Sequence, residues 1–179
     1  MNIIQADSEA SLLQLGTLDY SLTVTEVAVP PFEGPRIETT RKVSPFQKRY
    51  SLPSDGYVSH LNSSESALFL CIEDGRLLGF VALSRIWNDL VQIDDIAVDT
   101  SVRGRGIGSA LIAKAIAYAS TPALIGMKAE TQSINVPACR FYYKNGFALS
   151  GLDRHHYGLN VQEIALFWYL LPTNPSPRG

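Results

Sequence analysis

Cysteine, methionine, tryptophan and histidine are scarce in this chain of 179 residues, with 2, 2, 2 and 3 copies respectively. Cys71 and Cys139 are too few for a disulfide framework, and no close Cys/His cluster offers a zinc site, so a reducing compartment and no metal are expected. Charge is also sparse. Only 18% of residues are charged while an ordinary 46% are hydrophobic, a balance that excludes wholesale disorder and a solvating acidic tail. With 15 basic against 17 acidic side chains, no global basic excess points to nucleic acid or an anionic membrane. No apolar run approaches the ~18 residues that span a bilayer. The opening MNIIQADSEAS has no cationic start followed by an apolar stretch, so no secretory leader is read and a cytoplasmic location is expected.

What is present fits one domain over residues 1–171, since a chain of this size buries about 70% of its unfolded surface around one core. Residues 172–179 carry three prolines and no large apolar group, as a frayed tail would. Charge is divided unevenly along the chain: residues 1–99 hold 14 acids against 7 bases, and residues 100–179 hold 3 acids against 8 bases.

The opening ~20 residues read as a weakly helical arm. Leu22–Val29 is rich in β-branched residues and reads as a strand. Residues 30–66 are polar and turn-rich, with a short helix expected over Ser44–Lys48, where Pro45 suits a first helical turn. Ala67–Glu73 and Leu77–Ile86 flank Asp74-Gly75, a hairpin signal, and Leu90–Val98 follows the Asn88-Asp89 turn as a third antiparallel strand. From Gly106 to Ala119 the apolar residues Ile107, Leu111, Ala115 and Tyr118 recur at helical spacing. Leu124–Thr131 returns to strand character, and a helix over Pro137–Lys144 ends at Asn145-Gly146. Phe147–Leu152 and Glu163–Leu171 close the chain as strands, the last apolar enough for a buried strand or an interface. This order implies an α/β (α+β) sheet with packed helices.

Chemistry concentrates where strand gives way to helix, at Asp99-Thr-Ser-Val-Arg103-Gly104-Arg105-Gly106-Ile107-Gly108-Ser109. Backbone N–H groups and a helix dipole at this place can receive a phosphate, and two arginines add positive charge. A dinucleotide fingerprint starting at Gly104 would need glycine where Ser109 stands, and a Walker loop would need Gly-Lys-Ser/Thr, so neither nucleotide motif fits. An ordinary turn whose glycines serve geometry is the alternative. The second constellation is Asn135-Val-Pro-Ala138-Cys-Arg-Phe141-Tyr142-Tyr-Lys144-Asn-Gly146-Phe147. On a helix Ala138, Phe141 and Tyr142 share a face, which core packing alone would explain, but a buried Tyr142 hydroxyl must find a partner.

Arg103-x-x-Gly106-x-Gly108 after a strand ending Ile96-Ala97-Val98, followed by Asn135-x-x-Ala138-x-x-Phe141-Tyr142-x-Lys144-x-Gly146-Phe147, resembles the GNAT acetyl-CoA-dependent N-acetyltransferases. Val43–Tyr50, Trp87–Leu90, Glu130–Gln132, Asn135–Cys139 and Phe167–Tyr169 look more narrowly like the streptothricin (nourseothricin) acetyltransferases, antibiotic-resistance members of that family. The resemblance implies the GNAT fold, a central mixed, mostly antiparallel sheet of about 6–7 strands with helices on both faces. It implies acetyl-CoA as cosubstrate, held by Ile96, Ala97 and Val98 at the pantetheine, by Arg103–Ser109 at the pyrophosphate, and by Asn135 and Lys144. The thioester would lie where strands 90–98 and 124–131 splay apart.

Direct transfer to an amine needs a base, and the departing thiolate benefits from an acid. Tyr142 falls on the family's general-acid position. Polyamine-type relatives place a carboxylate at the equivalent strand position, which makes Asp94 the first choice of base and Asp95 the second, either directly or through water. The two point to opposite faces of a regular strand, so only one should face the site unless a bulge intervenes. No enzyme nucleophile is required, which leaves Cys139 to pack. The implied acceptor is a primary amine on the β-lysine arm of a polycationic streptothricin, drawn in by Asp89, Asp95 and Glu130, with Glu26, Glu33 and Glu38 less directly placed, and stacked on by Trp87. His155-His156 reads as a polar loop or hairpin edge. Acetylation of a polyamine, an aminoglycoside or a protein N-terminus, and a non-catalytic acyl-CoA-binding module, are the competing readings. A monomer or homodimer without nucleic-acid or membrane partners is expected.

Overall fold

The computed structural model describes residues 1–53, 55–120, 124–159 and 161–171; the tail expected over 172–179 lies outside them. In chain order come β1 (Asn2–Gln5), α1 (Glu9–Leu12), β2 (Leu22–Val29), β3 (Thr39–Lys48), β4 (Ser66–Glu73), β5 (Arg76–Arg85), β6 (Leu90–Val98), α2 (Ile107–Ala119), β7 (Gly126–Gln132), α3 (Val136–Lys144), β8 (Ala148–Asp153) and β9 (Ala165–Leu170), with 3-10 turns at Leu15–Thr17, Val58–His60 and Thr100–Val102. The chain forms two compact units: Met1–Ser21 with Arg49–Leu124, and Leu22–Lys48 with Ile125–Gly179.

In the first unit the strands run β1-β4-β5-β6, each antiparallel to its neighbour. Asp74 and Gly75 take φ of +51° and +76°, the left-handed pair that a two-residue hairpin requires. β4 and β5 are buried almost throughout, because both faces are covered. Leu68, Leu70, Phe80 and Ala82 pack with Ala6, Leu15, Leu18 and Tyr57, while α2 lies against β4, β5 and β6. That helix buries Ile107, Leu111, Ile112, Ala115 and Ala119, and each fully buried Ile or Leu contributes roughly 1.5–3 kcal/mol.

In the second unit the order is β7-β9-β8, beside a β2-β3 hairpin, and α3 packs on β2, β7 and β8. β9 is thus the middle strand of its three, with Trp168 fully buried; its apolar run serves the core. The strands of the two units' larger sheets number seven.

Two expectations are corrected. The opening arm is not helical throughout: Asn2–Gln5 pairs with β4 from Asn2↔Ile72 to Gln5↔Phe69, so partnering an exposed strand edge outweighs weak helical periodicity. Nor do residues 44–48 form a helix. They belong to β3, which pairs along β2 from Leu22↔Lys48 to Val29↔Thr39. Pro45 falls inside the register shift between the Val24↔Phe46 and Glu26↔Lys42 pairs, where the ladder does not need its missing N–H.

Candidate active site

The loop after β6 is built to meet an anion. Asp99 accepts from the Ser101 amide at 3.0 Å and from Arg76 Nη2 at 3.2 Å, and thereby caps the turn Thr100–Val102. Hydrogen bonding from the Ser101 hydroxyl holds the Asp99 carboxyl below the usual carboxylate range. Gly104 and Gly106 follow at φ of +81° and +82° with open space where a Cβ would stand. Gly106 leads into α2 without a side-chain cap, and the first helical amide bond runs from Ala110 to the Gly106 carbonyl at 3.0 Å. The amides of Ile107, Gly108 and Ser109 precede it and need another acceptor. Arg103 Nε donates to the Val98 carbonyl at 3.2 Å, and Arg105 pairs with Glu73 at 2.7 Å while half exposed. An open, left-handed loop on an uncapped 13-residue helix, flanked by two guanidinium groups, can receive a phosphate or diphosphate. Immediately upstream Ile96, Ala97 and Val98 pair with Val81, Phe80 and Gly79.

The two candidate base residues are not disposed as a regular strand would have them. The β5-β6 register shifts between the pairs Ala82↔Asp95 and Leu83↔Ile93, so Asp94 is the extra residue of a β-bulge. Both carboxylates consequently reach the Tyr57–His60 turn. Asp94 accepts from Ser84 Oγ at 2.7 Å on each oxygen, from Gln92 Nε2 at 3.2 Å, and lies 3.0 Å from His60 Nε2. Asp95 accepts from Tyr57 Oη at 2.9 Å, and burial raises its pKa against the lowering effect of that bond. Tyr57 and His60 meet edge to face, their ring centroids 5.2 Å apart.

In the second unit Tyr142 is buried on α3, its ring stacked on Trp168 and edge-on to Phe147. Cys139 is fully buried, with Sγ 3.4 Å from Thr131 Oγ1, which also accepts from Trp168 Nε1 at 2.9 Å. Burial pushes the Cys139 thiol up to about 11, a poor nucleophile placed as a packing group. Asn135 caps α3, its side chain accepting from the Ala138 amide at 3.1 Å, and Lys144 occupies the last helical turn. Glu130, half-buried on β7, accepts from the Tyr157 hydroxyl, and burial raises its pKa.

The remaining candidates are more peripheral. Trp87 is 94% exposed beside Asp89, which pairs with Arg85 at 2.8 Å. Glu26 pairs with Arg140 at 2.6 Å and Glu38 with Arg36 at 2.9 Å, while Glu33 lies on the surface. His155 and His156 are exposed, the latter edge-on to Tyr157 and Phe167. Tyr57, His60, Ser84 and Gln92 are polar partners that sequence reasoning missed. A Tyr and a His three apart in a turn-rich stretch give no periodic signal, and their partners lie 38 and 34 positions away.

Residues 32–147 match the profile of the acetyltransferase (GNAT) family. A streptothricin acetyltransferase of Escherichia coli is 38% identical over 134 residues, covering 73% of this chain and 74% of that one. Streptothricin acetyltransferase A of Bacillus subtilis (strain 168) is 36% identical over 145 residues, covering 79% and 83%. A crystal structure from Bacillus anthracis, described as a streptothricin acetyltransferase in complex with acetyl coenzyme A, matches the fold with a TM-score of 0.81 at 30% identity over 95% of this chain and 99% of that one. Among the described residues no helix is long and apolar enough to cross a membrane, and no group of three metal-ligating side chains gathers. The chain belongs to the GNAT acetyltransferase family and is an acetyl-CoA-dependent N-acetyltransferase.

Proposed function

We propose that this enzyme acetylates a primary amine on the β-lysine arm of a streptothricin-type antibiotic in the cytoplasm and thereby inactivates it. The observation that carries the reading is the 36–38% identity to two streptothricin acetyltransferases across 74% and 83% of their lengths. Both units serve one acetyltransferase domain over residues 1–171, consistent with a family match that draws on each.

Acetyl-CoA, when bound, supplies an activated acetyl thioester. The amides and arginines of Arg103–Ser109 hold its diphosphate, Ile96–Val98 orient its pantetheine arm, and Asn135 and Lys144 add polar contacts. The neutral form of the amine would attack: as its nitrogen bonds to the acetyl carbon and the carbon–sulfur bond breaks, a carboxylate of the Asp94–Asp95 pair takes one nitrogen proton and Tyr142 gives its phenolic proton to the departing sulfur. Solvent exchange returns the tyrosine proton and clears the aspartate. Asp89 and Glu130 attract the polycationic acceptor, and the exposed indole of Trp87 offers a stacking face.

Purified enzyme should release coenzyme A thiol from acetyl-CoA when streptothricin is added. Absence of turnover over about pH 6–9 would overturn the reading, and preference for a polyamine, aminoglycoside or peptide amine in the same assay would reassign the acceptor. Tyr142→Phe should lower kcat by about 10²-fold or more with acetyl-CoA affinity in calorimetry unchanged; an unaltered kcat removes Tyr142 from the acid role.

A further inference from the structure

We infer that Tyr57 is the positioning residue that holds Asp95 as the general base, while the His60–Asp94 pair fixes a second carboxylate beside it to receive the acceptor's positive charge. The inference rests on the acetyl-transfer reading above and assigns separate duties to two acids that adjacency in sequence leaves equivalent.

Hydrogen-bond supply separates them. Asp94 receives Ser84 Oγ on both oxygens, Gln92 Nε2 on Oδ1 and the His60 ring on Oδ2. A carboxylate offers about four acceptor sites; the one Ser84 hydroxyl proton is shared between the two oxygens, so three side-chain partners already engage Asp94. Asp95 has one side-chain donor, Tyr57 Oη on Oδ2, beside the backbone amide of Ile96. Its Oδ1 carries no side-chain hydrogen bond among the described residues. It also stands directly before Ile96-Ala97-Val98, the segment assigned to the pantetheine arm, whereas Asp94 is displaced by the bulge.

Tyr57 is held for this task. It is 4% exposed, takes φ of +71°, and packs against Phe80 at 5.5 Å and His60 at 5.2 Å between centroids. A tyrosine in the left-handed region is uncommon and persists where its surroundings determine it. Asp55 supplies part of that frame by accepting from the Tyr57 and Ser59 amides. The groups bearing on Asp95 are therefore Tyr57 and His60 from the turn, Asp94 on its own strand, and Tyr20, whose phenol burial and the Asp95 charge together keep protonated. Burial keeps Tyr57 protonated as well, so it acts only as a donor.

In the reaction the neutral amine gives a proton to Asp95 Oδ1 as nitrogen bonds to the acetyl carbon. The Tyr57 bond stays on Oδ2 throughout, fixing the carboxyl plane. Asp94, held by Ser84, Gln92 and His60, faces the neighbouring ammonium groups of the acceptor.

The test is the pH dependence of kcat/KM for Tyr57→Phe, Asp95→Asn and Asp94→Asn, with whichever amine the wild-type enzyme turns over. Removing the Tyr57 donor withdraws support from the Asp95 anion, so Y57F should move the acid limb to higher pH. A limb displaced by about one pH lowers kcat/KM about tenfold along it and leaves the plateau where it was. D95N should abolish the limb and lower the plateau by about 10²-fold or more. D94N removes a neighbouring negative charge, so it should shift the limb to lower pH and raise KM for a polycationic acceptor. A pH-independent loss in Y57F would mean a purely structural tyrosine, and a limb that survives D95N but disappears in D94N would reverse the assignment; either overturns the proposal. A second readout needs no acceptor. Carboxyl carbon NMR should show Asp95 titrating above the ordinary aspartate range and higher still in Y57F, and an unmoved resonance overturns the proposal even if the acceptor is not streptothricin.

Discussion

A carboxylate whose pKa is raised by burial weakens the fold that carries it as pH rises. Asp95 is such a group: desolvation raises its pKa despite the Tyr57 bond, so the folded state binds its proton more tightly than the unfolded chain does. Its contribution to stability is full below the unfolded aspartate pKa of ~3.9 and is lost as pH rises through the folded value. Asp95→Asn removes that loss. Thermal unfolding should therefore show D95N gaining on wild type as pH rises above the unfolded aspartate value of ~3.9, while activity collapses; a variant that falls behind as pH rises would contradict the raised pKa. Asp99 has the opposite sign, its donors favouring the anion, as suits a turn cap. At this scale the loop arginines stand out in the sequence because residue types at short spacing mark them, while Tyr142, Asp94 and Asp95 are singled out through the family resemblance. Tyr57 and His60 are not, since their meaning arises only from partners 38 and 34 positions away.

At the scale of elements, the β5-β6 pair matters most, because it carries both the acids and the segment assigned to the cofactor. Gly79 pairs with Val98, and a methyl group built on it would stand 2.5 Å from the Ala97 carbonyl. Backbone is what it would meet, and backbone cannot rotate aside. Gly79→Ala should destabilise by about 1–3 kcal/mol through overpacking and raise the acetyl-CoA Kd by forcing Ala97-Val98 away from β5. Differential scanning calorimetry and titration calorimetry check the two effects, and an unchanged melting temperature together with an unchanged Kd would show that the strands absorb the methyl. Most elements were readable from local signals: the Asp74-Gly75 hairpin, the 90–98 strand and the helix after Gly106 fall where the sequence places them. The failures share a cause. Residues 2–5 and 44–48 are strands because a distant partner supplies their ladder bonds, and local propensity is a weak prior against that supply.

At the scale of the molecule, the charge division along the chain persists between the units, but the anion loop changes sides. The first unit, Met1–Ser21 with Arg49–Leu124, holds 11 acids against 6 bases, and the second holds 6 acids against 9 bases. The arginines of the anion loop thus sit in the more acidic unit, together with Asp94 and Asp95. Under the proposed function, local geometry would hold the cofactor there, through uncapped amides and two guanidinium groups, against an unfavourable average field. The same field would favour the cationic acceptor proposed above. Raising ionic strength from about 0.05 to 0.5 M shortens the Debye length from roughly 14 to 4 Å, so KM for a polycationic acceptor should rise severalfold with kcat little changed. Equal sensitivity for a neutral-bodied monoamine would argue against steering by these acids.

The sequence by itself determined what depends on neighbours a few positions apart: the hairpin turn, the glycine-bearing strand-to-helix loop, the amphipathic helix and the family whose spacing these share. Only the tertiary structure decided how the two aspartates differ. Strand periodicity assigns Asp94 and Asp95 to opposite faces, yet a single extra residue in the β5-β6 register turns both toward the Tyr57–His60 turn. A bulge is set by the pairing of two strands and the packing above them, and a turn's side chains acquire roles only when folding closes a loop of dozens of residues. Neither is encoded in the local pattern that a sequence displays.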